Sequence, residues 1–544
     1  MRKLCTFLLA TALAAAPMAV TAAASATTTQ AITPGLGYTL TNVNSGQVMD
    51  VSGGSTSPGA PVLQWPLHGG PNQRWTLAQV GSTGAYTVAN VNSGLCLEAA
   101  SASPTTAGGQ LDQGTCGGAM SQQWNVQPVG DGSYTLANVG SGMVADVQGA
   151  SQAPAAPVIQ WPANQGANQH WRLTPILPAV GVWSAGLESN GPSFTNQTVR
   201  MVAHTSVAGS QVRVQLSNRF GTAPLNVGAV DIAVQSSGGT AVAGTHHTVL
   251  FKGAGSTAVA AGADLTSDPI PMAVNADQSL LVSVYLPTAT GQSTWHADAL
   301  NTTYLSSPGN HANDDATGNY PSTSTSWYFL AGLNVVPTTA TGTVVAVGDS
   351  ITDGYYSTSG ANLRWPDDLA RRLNAAPGGP TRGVVDTGIG SNRVLTDANT
   401  ANHSLLSRFD HDVLGQPNVK DVILLEGIND IGSAGATAQQ IIAGYQTVIG
   451  QAHAKGVKIY GATILPYQGA NYYTASGESA RESVNQWIRT SGAFDAVIDL
   501  DSAMRSSGNP LALNPAYDSG DHLHPSNAGH QAMADAVDLN LLSG

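Results

Sequence analysis

Apolar runs alternate with helical patterns along the C-terminal part of the chain. Trp365, Leu369 and Leu373 recur at helical spacing, and a second helical pattern begins near Ala438 and ends at Gly456. Buried strands are predicted where short apolar runs occur, at residues 344–347, 383–385, 422–425, 457–460 and 496–498. Because strands that alternate with helices pair in parallel, the pattern predicts a doubly wound α/β domain over residues 342–544.

Residues 178–338 show a different pattern, in which apolar and polar residues alternate with a period of two. Examples are the stretches 211–216 and 281–286, with clusters of Gly, Pro, Ser and Asn between such stretches. This segment is predicted to be a β-rich domain of the sandwich or jelly-roll type. The aromatic stretches at 295–296 and 326–329 are predicted to lie in its core or in an interface, with a wall of a neighbouring site as the alternative.

A threefold repeat occupies the N-terminal part of the chain. Tyr38, Tyr86 and Tyr134 are spaced 48 residues apart, and each begins a similar stretch of sequence. Each unit closes with Gln-x-Trp, at residues 73–75, 122–124 and 169–171. Because one short β unit cannot bury its own apolar face, three copies must pack together. Residues 30–175 are therefore predicted to form a closed β-trefoil with the closing tryptophans in a shared core.

The first residues carry the pattern of an export signal. Arg2 and Lys3 precede an apolar run, and residues 24–26 are Ala-Ser-Ala, which has the small-x-small form of a cleavage site. We predict that residues 1–26 are a signal peptide and that the protein is secreted, to the periplasm or the medium. A membrane anchor is the alternative. No other segment is predicted to span a bilayer.

Net charge and composition limit the classes of partner. The chain has 33 acidic and 20 basic residues, a formal net charge of -13, and loss of Arg2 and Lys3 would leave 18 basic residues. We therefore expect neither nucleic acid nor an anionic membrane as a partner. Only 10% of the residues are charged, while 62 are Gly and 29 are Pro, which favours folded β-rich modules with many turns.

Two cysteines would remain in the exported protein. Cys5 would leave with the signal peptide, so that Cys96 and Cys116 are left. In an oxidising compartment these two are expected to form a disulfide bond, and both lie in the middle repeat. The bond is predicted to have a structural role.

Polar residues follow three of the predicted strands, where a doubly wound sheet binds its ligands. A serine hydroxyl becomes a nucleophile when a base takes its proton, and the base needs an orienting carboxylate. Ser350 is predicted to attack, His524 to act as the general base, and Asp521 to fix the tautomer of His524. The developing oxyanion needs donors, which are predicted to be the backbone N–H of Ser350, a backbone N–H at Gly390 or Ser391, and the side-chain amide of Asn429.

The sequence motifs around these candidate residues resemble the GDSL, or SGNH, hydrolase superfamily over about residues 342–540. The matching motifs are Gly-Asp-Ser at 348–350, a glycine-containing turn at 386–393, Gly-Ile-Asn-Asp at 427–430 and Asp-x-x-His at 521–524. The surrounding sequence is similar to bacterial acylhydrolases related to xylan-associated esterases, in which a β-rich domain precedes the hydrolase. The resemblance implies a flavodoxin-like sheet and carboxylic ester hydrolysis. The chain departs from the family at Asp386, where Asn is usual, and at Ser391, where Gly is usual.

Other chemistries fit the sequence less well. No Gly-x-Ser-x-Gly elbow surrounds Ser350, which argues against an α/β-hydrolase of the lipase type. Gly388 and Gly390 lack the third glycine of a dinucleotide-binding fingerprint, so no organic cofactor is expected. His522 and His524 with Asp521 could suggest a metal site, but no further ligands are evident in the sequence, so no metal is predicted.

The threefold repeat resembles the ricin B-type lectin family, also called the family 13 carbohydrate-binding module. In that family a repeat holds a sugar with an acidic residue, an aromatic platform and an Asn-Gln pair. The resemblance implies sugar sites in the first and third repeats, formed by Asp50, Trp65, Asn72 and Gln73 and by Asp146, Trp161, Asn168 and Gln169. The middle repeat has Glu98, but Gly114 stands where the platform belongs and Ser121 where the Asn belongs, so two working sites are expected.

The sequence as a whole indicates a secreted serine esterase that removes acyl groups, most simply acetyl, from a polysaccharide held by the lectin. The expected partners are therefore a glycan and an ester substrate. One alternative is a general lipid or aryl esterase whose lectin serves only to attach it to a cell surface. An alternative from a different class is a carbohydrate-binding adhesin with an inactive hydrolase domain, which the presence of Ser350, Asn429, Asp521 and His524 argues against.

Overall fold

The computed structural model describes residues 32–34, 36–99, 105–176 and 178–543, which fall into two compact units. The first unit ends at Ile176, and the second extends to the C-terminus. The predicted boundary between residues 338 and 342 lies inside the second unit and stays a prediction. The predicted signal peptide lies outside the described residues. Within the described ranges, the helices are all too short or too polar to cross a membrane.

The first unit is trefoil-like, as its threefold repeat predicted. Its described strands form one closed sheet, in which the first strand pairs with the last, Gly37 lying opposite Ile176. The strands are β1 Gly37–Asn42, β2 Val48–Val51, β3 Ala60–Trp65, β4 Trp75–Gln79, β5 Ala85–Asn90, β6 Cys96–Ala99, β7 Leu111–Gly114, β8 Gln123–Pro128, β9 Tyr134–Asn138, β10 Val144–Val147, β11 Val158–Trp161 and β12 Trp171–Ile176. Short 3₁₀ turns lie at Ser52–Gly54, Pro71–Gln73, Met120–Gln122, Gln148–Ala150 and Ala167–Gln169.

The closing tryptophans form the shared core of this unit, which confirms the prediction made from the repeat. Trp75, Trp124 and Trp171 are fully buried in one apolar cluster. Each indole N–H donates to a backbone carbonyl at the equivalent place of its own repeat, those of Met49, Leu97 and Ala145, at 2.9–3.1 Å. A buried indole N–H needs an acceptor, and these bonds supply one without opening the core.

The first part of the second unit is a β-rich region, as predicted. Its two larger sheets run in the orders β13-β28-β16-β22 and β19-β18-β23-β15-β25-β26, and side chains from both, including Met201, Val214 and Val282, share one buried core. The strands are β13 Val180–Ser184, β14 Glu188–Gly191, β15 Gln197–Thr205, β16 Gly209–Ser217, β17 Leu225–Val227, β18 Ala229–Ser237, β19 Thr240–Ala241, β20 His247–Thr248, β21 Thr257–Val259, β22 Asp264–Thr266, β23 Gln278–Leu286, β24 Ser293–His296, β25 Thr303–Pro308, β26 Ser322–Ser324, β27 Trp327–Tyr328 and β28 Leu330–Pro337.

The rest of the second unit is a doubly wound α/β domain. Its parallel sheet has the order β30-β29-β31-β32-β33, and Val345 of β29 lies opposite Val385 of β30 and Val422 of β31. The strands are β29 Gly342–Gly348, β30 Arg382–Asp386, β31 Val419–Leu425, β32 Lys458–Ala462 and β33 Ala496–Ile498. The helices are α1 Ser350–Asp353, α2 Trp365–Ala375, α3 Leu405–Arg408, α4 Ile428–Gly432, α5 Ala438–Ala454, α6 Ala475–Thr490, α7 Leu500–Met504 and α8 Asn527–Asp535, with a π turn at Phe409–Val413 and a 3₁₀ turn at Leu539–Leu542.

The strand order explains why the polar residues that follow β29, β30 and β31 meet. The chain moves from β29 to one neighbour, β30, and then returns to the other side of β29 to form β31. Loops at the carboxyl ends of β29, β30 and β31 therefore diverge around a crevice, which is the usual ligand site of such sheets. All seven residues of β29 are buried, as expected for an interior strand of a sheet covered on both faces.

Candidate active site

Ser350, His524 and Asp521 form a continuous hydrogen-bonded chain. The Ser350 hydroxyl Oγ lies 2.8 Å from Nε2 of His524, and Nδ1 of His524 lies 2.6 Å from Oδ2 of Asp521. The His524 side chain is buried, while Ser350 is half-buried and open to a substrate. The three groups have the order nucleophile, base and orienting carboxylate that serine hydrolysis needs.

Asp521 is held as a carboxylate by its own loop. Its Oδ1 accepts the backbone N–H groups of Leu523 and His524 at 3.0 and 2.9 Å, and the Ser519 hydroxyl donates to it at 3.1 Å. Partial burial raises the pKa of Asp521, but the hydrogen bonds from His524 and Leu523 outweigh burial, so the pKa lies below its ordinary value of 3.8. Asp521 is therefore charged at neutral pH, and because a carboxylate only accepts hydrogen bonds, Nδ1 of His524 is the donor in this pair.

The turn that carries Ser350 is fixed by close packing. The Asp349 side chain caps α1 by accepting the Ile351 N–H at 2.9 Å. A Cβ on Gly348 would overlap the carbonyl oxygen of Leu425 on the neighbouring strand β31, so glycine is required where the chain leaves β29. Gly354 then ends the helix in the left-handed region, with φ of 93°. These contacts present Ser350 at the carboxyl end of β29.

Two of the three predicted oxyanion donors follow the strands on either side of β29, Asn429 after β31 and Gly390 or Ser391 after β30. The Asn429 amide donates to the Asn392 carbonyl at 3.1 Å, which uses one of its two N–H groups and leaves the other for a ligand. Ser391 has φ of 62°, a left-handed conformation in which glycine is more usual. This conformation gives a physical reason for the glycine that the family resemblance led us to expect there. Whether Gly390 or Ser391 donates stays a prediction.

Arg408 links these strand ends, a role that sequence reasoning missed. Its side chain is almost fully buried and donates to the carbonyls of Gly348 and Thr387 at 3.0 and 2.6 Å, and to Oδ1 of Asn392 at 2.9 Å. One guanidinium therefore joins the turn before Ser350 to the turn before Gly390. Its position in a short helix within an irregular segment has no periodic signature, so only the folded chain reveals it.

Buried acids surround the nucleophile turn. Burial raises the pKa of Asp349 to about 7, although the Ile351 N–H opposes the shift. Burial also raises the pKa of Glu426 well above its ordinary value, in spite of Arg408 nearby, and raises that of Asp430. Asp430 accepts the backbone N–H groups of Val394 and Leu395 at 2.8 and 3.0 Å. Because these acids hold protons more tightly than usual, they repel a developing oxyanion less than free carboxylates would.

The β-rich region reaches the active-site turns through His296. Nε2 of His296 lies 3.1 Å from Oδ1 of Asp353, the last residue of α1, and Nδ1 lies 2.8 Å from the carbonyl oxygen of Gly186. Burial lowers the pKa of His296, but the charges of Asp353 and Glu188 outweigh it and raise the pKa to about 9. His296 thus lies at an interface with the α/β domain, one of the two places predicted for the stretch 295–296.

The first repeat gathers three of its four predicted sugar-site residues around one surface cavity of about 520 Å³. Asp50, Trp65 and Asn72 line it, and Asn72 donates to Oδ2 of Asp50 at 3.0 Å. Trp65 is 40% exposed, as a stacking platform must be. Gln73 is fully buried and bonds to the carbonyl of Pro66 at 2.9 Å, so it braces the loop from behind the cavity.

The third repeat has a similar arrangement with a different hydrogen bond. Trp161 is 42% exposed, while Gln169 is buried and donates to Oδ2 of Asp146 at 2.8 Å. Asn168 is half-buried and donates to the carbonyl of Val147 at 3.1 Å. In both repeats the acidic residue is therefore buried and held by an amide, and the tryptophan of the same repeat is exposed.

The middle repeat departs from this arrangement. The Glu98 carboxylate accepts from Gln122 at 2.7 Å, and a Cβ on Gly114 would overlap that carboxylate. The acid therefore takes up the space beside the position where an aromatic side chain would begin. A disulfide bond joins Cys96 to Cys116 in this repeat, which confirms the predicted pairing.

Residues 346–532 match the model of the GDSL-like lipase/acylhydrolase family. This segment is a GDSL-like lipase/acylhydrolase domain. The model of the ricin-type β-trefoil lectin domain-like family matches three overlapping segments, at residues 28–114, 71–161 and 120–184. The N-terminal part of the chain is therefore a ricin B-type lectin-like region, and the two matches support a carbohydrate-binding esterase.

Parts of the chain are similar to solved structures. The designed threefold-symmetric protein ThreeFoil is 38% identical, with 25% of this chain and 97% of that one covered at a TM-score of 0.25. An exo-β-1,3-galactanase from Clostridium thermocellum is 35% identical over 27% of this chain and 32% of that one, with a TM-score of 0.26. A putative lipolytic protein of the G-D-S-L family from Desulfitobacterium hafniense DCB-2 is 22% identical over 36% of this chain and 96% of that one, with a TM-score of 0.29. No curated protein matches the chain.

Proposed function

We propose that the protein is a secreted serine esterase that removes acyl groups, most simply acetyl, from a polysaccharide to which its lectin-like region binds. The observation that carries the esterase proposal is the chain of hydrogen bonds from Ser350 through His524 to Asp521. The order of these three groups supports covalent catalysis at a carbonyl carbon. The polysaccharide is inferred from the two exposed tryptophans of the lectin-like region and from the buried acid in each of the same two repeats.

In the proposed first step, Oγ of Ser350 attacks the ester carbonyl while its proton moves to Nε2 of His524. The carbonyl oxygen becomes an oxyanion, which accepts hydrogen bonds from Asn429 and from the backbone near Ser350 and Ser391. The intermediate then collapses, the bond to the alcohol oxygen breaks, and His524 returns the proton to that oxygen. The products are a free sugar hydroxyl and an acyl group on Ser350.

In the second step, water replaces the alcohol. His524 takes a proton from the water as its oxygen attacks the acyl carbon, and a second oxyanion forms in the same place. When this intermediate collapses, His524 protonates Oγ of Ser350 and the carboxylic acid leaves. Asp521 keeps Nδ1 of His524 protonated throughout, so that Nε2 is free to exchange protons in both steps.

The lectin-like region supplies proximity to the polymer in this proposal. Trp65 and Trp161 each offer an exposed aromatic face for the apolar side of a sugar ring. Two weak sites on one rigid unit increase retention through effective concentration. The Cys96–Cys116 disulfide supports export, because such bonds persist in oxidising compartments.

Acetate release from acetylated polysaccharide tests the enzymatic proposal. Replacement Ser350→Ala should lower the rate by about a millionfold, since the remaining triad members cannot act without the nucleophile. The matched control is Ser502→Ala, which removes an exposed hydroxyl in the same domain and should keep the wild-type rate. Wild-type activity in Ser350→Ala would overturn the proposal. Faster hydrolysis of long-chain or aryl esters than of acetylated glycans by the wild type would favour the lipid or aryl esterase instead.

Binding to insoluble polysaccharide tests the lectin proposal in the full chain. The double replacement Trp65→Ala and Trp161→Ala should weaken binding at least tenfold, because each loses a stacking face worth about 1 kcal/mol. Met120→Ala is the matched control, since Met120 is an exposed apolar residue of the middle repeat, where no sugar site is expected. Equal binding by the double variant and the control would contradict the proposal.

A further inference from the structure

Two adjacent tyrosines are exposed beside the catalytic histidine. Tyr355 and Tyr356 follow Gly354, the residue that ends α1, and their side chains are 42% and 53% exposed. Among the described residues of the hydrolase domain, from 342 to 543, Val497 is the only other large hydrophobic side chain that is exposed. Two adjacent exposed aromatic rings at the active site are therefore unusual for this domain, and such exposed apolar surface often marks a binding site.

The two rings and His524 form one cluster. The centroid of the His524 ring lies 4.9 Å from that of Tyr355 and 5.7 Å from that of Tyr356, and the two tyrosine rings are 4.8 Å apart. The rings meet His524 at 61° and 46°. The tyrosines therefore form a wall next to the imidazole whose Nε2 faces Ser350.

The loop holds Tyr356 in an unusual backbone conformation. Its φ of 69° lies in the left-handed region, which a bulky residue rarely adopts. Thr358 and Asn527 exchange two hydrogen bonds, at 2.9 and 2.7 Å, and the Gly360 N–H donates to the carbonyl of Leu300 at 2.8 Å. The loop is thus tied to α8 on one side and to the β-rich region on the other, and it presents Tyr356 as a fixed surface.

The chemistry of the triad shows which part of an ester faces this wall. The carbonyl oxygen must point towards the oxyanion donors, which include Asn429. The alcohol oxygen must lie within reach of Nε2 of His524, because His524 protonates it as it leaves. Side chains that contact the His524 ring therefore lie beside the alcohol part of the ester, whereas the acyl chain extends away from it.

We propose that Tyr355 and Tyr356 form a subsite that binds the alcohol part of the ester by stacking on the apolar face of a pyranose ring. The proposal rests on the proposed esterase function and names the group next to the scissile bond. An aromatic side chain binds a sugar by stacking against the C–H groups on one face of the sugar ring. The exposed rings of Tyr355 and Tyr356 can make this contact without a charged partner. The lectin-like region of the same chain supports a carbohydrate, in preference to a simple alcohol, as this group.

The test compares two acetate esters that differ only in their alcohol, an acetylated methyl pyranoside and ethyl acetate. For Tyr356→Ala and Tyr355→Ala, the ratio of kcat/KM for the pyranoside to that for ethyl acetate should fall about tenfold from the wild-type ratio, mainly through KM. Tyr356→Phe and Tyr355→Phe should keep the wild-type ratio, because they keep the ring. Val497→Ala is the matched control for an exposed apolar side chain and should also keep the ratio.

Three results would overturn the subsite. An unchanged ratio in both alanine variants of an active enzyme would show that the tyrosines do not contact the alcohol. If the loss of kcat/KM in the alanine variants depended on the length of the acyl chain while the alcohol stayed the same, the two tyrosines would lie on the acyl side. A wild-type enzyme that hydrolyses neither ester would overturn the proposed function and the subsite with it, so the two failures are distinguishable.

Discussion

Replacement His296→Ala removes the contact through which the β-rich region holds the end of the nucleophile helix. The His296 side chain is 2% exposed and that of Asp353 is 6% exposed, and 3.1 Å separates Nε2 from Oδ1. The replacement leaves Asp353 buried without its cation and also removes a bond to the carbonyl of Gly186. We expect the second unit to lose stability and the position of α1 to become less exact.

The magnitude follows from two independent considerations. Loss of one partner from a buried ion pair costs about 3–5 kcal/mol. The pKa of His296 rises from its ordinary value of 6.5 to about 9, which corresponds to about 3 kcal/mol of favourable interaction with the protonated ring. Because the folded-state pKa is raised, this contribution is complete below pH 6.5 and is lost as the pH rises through about 9.

Urea unfolding followed by tryptophan fluorescence measures the effect, since the His296 ring stacks on Trp327 at 5.3 Å. The free energy of unfolding at pH 7 should fall by about 3 kcal/mol, and the gap from wild type should narrow between pH 7 and pH 10. His204→Ala is the matched control. It breaks a His–Asp pair of 2.8 Å whose partner, Asp277, is 51% exposed, and such pairs contribute about 0–1 kcal/mol.

Two outcomes would refute this reasoning about His296. One is an equal loss of unfolding free energy in His296→Ala and His204→Ala, which would mean that burial of the ion pair adds no stability. The other is a gap between His296→Ala and wild type that stays constant from pH 7 to pH 10, which would mean that His296 is not charged in the folded protein.

Three further predictions concern the site and the lectin-like region. Asn429→Ala should lower kcat on the order of a hundredfold with little change in KM, because its amide acts on the oxyanion; a loss below about threefold in steady-state kinetics would exclude that role. Asp521→Asn should lower kcat by about ten-thousandfold at pH 7, and wild-type kcat in the variant would contradict the assignment. Because the pKa of Asp521 is lowered, its contribution in the wild type is complete above pH 3.8, the ordinary pKa of Asp, and is lost only as the pH falls below that value. A pH–rate profile measures both the loss in the variant and the pH dependence of the wild type. The double replacement Cys96→Ser and Cys116→Ser should destabilise the lectin-like region by about 3 kcal/mol, since the bond spans 20 residues; calorimetry with and without reductant measures it, and identical transitions would contradict a structural role.

The repeat and the strands were predictable because their signals are periodic. The spacing of Tyr38, Tyr86 and Tyr134 predicted the trefoil, since equal units must pack around a common axis. Apolar runs predicted each strand of the parallel sheet to within a few residues; the run at 383–385, for example, became Arg382–Asp386. Strand ends pointed to Ser350 and Asn429, because topology alone brings the ends of neighbouring parallel strands together.

The long-range hydrogen bonds of the site were not predictable, because they join residues whose spacing in the sequence follows no rule. Arg408 donates to Gly348, 60 residues earlier in the chain, and His296 contacts Asp353, 57 residues later. Neither contact leaves a mark on local periodicity. The exposure of Tyr355 and Tyr356 was not predictable either, because two tyrosines after a helix can lie in a core or on a surface.

Covalent labelling of Ser350 tests the central claim most directly. A fluorophosphonate reacts with a serine only when a neighbouring base has activated its hydroxyl, and the adduct is stable enough for peptide mapping by mass spectrometry. We predict one phosphonyl group per chain, on the peptide that contains Ser350, and loss of ester hydrolysis in proportion to labelling. A label on another residue, or full ester hydrolysis by protein labelled at Ser350, would contradict the account.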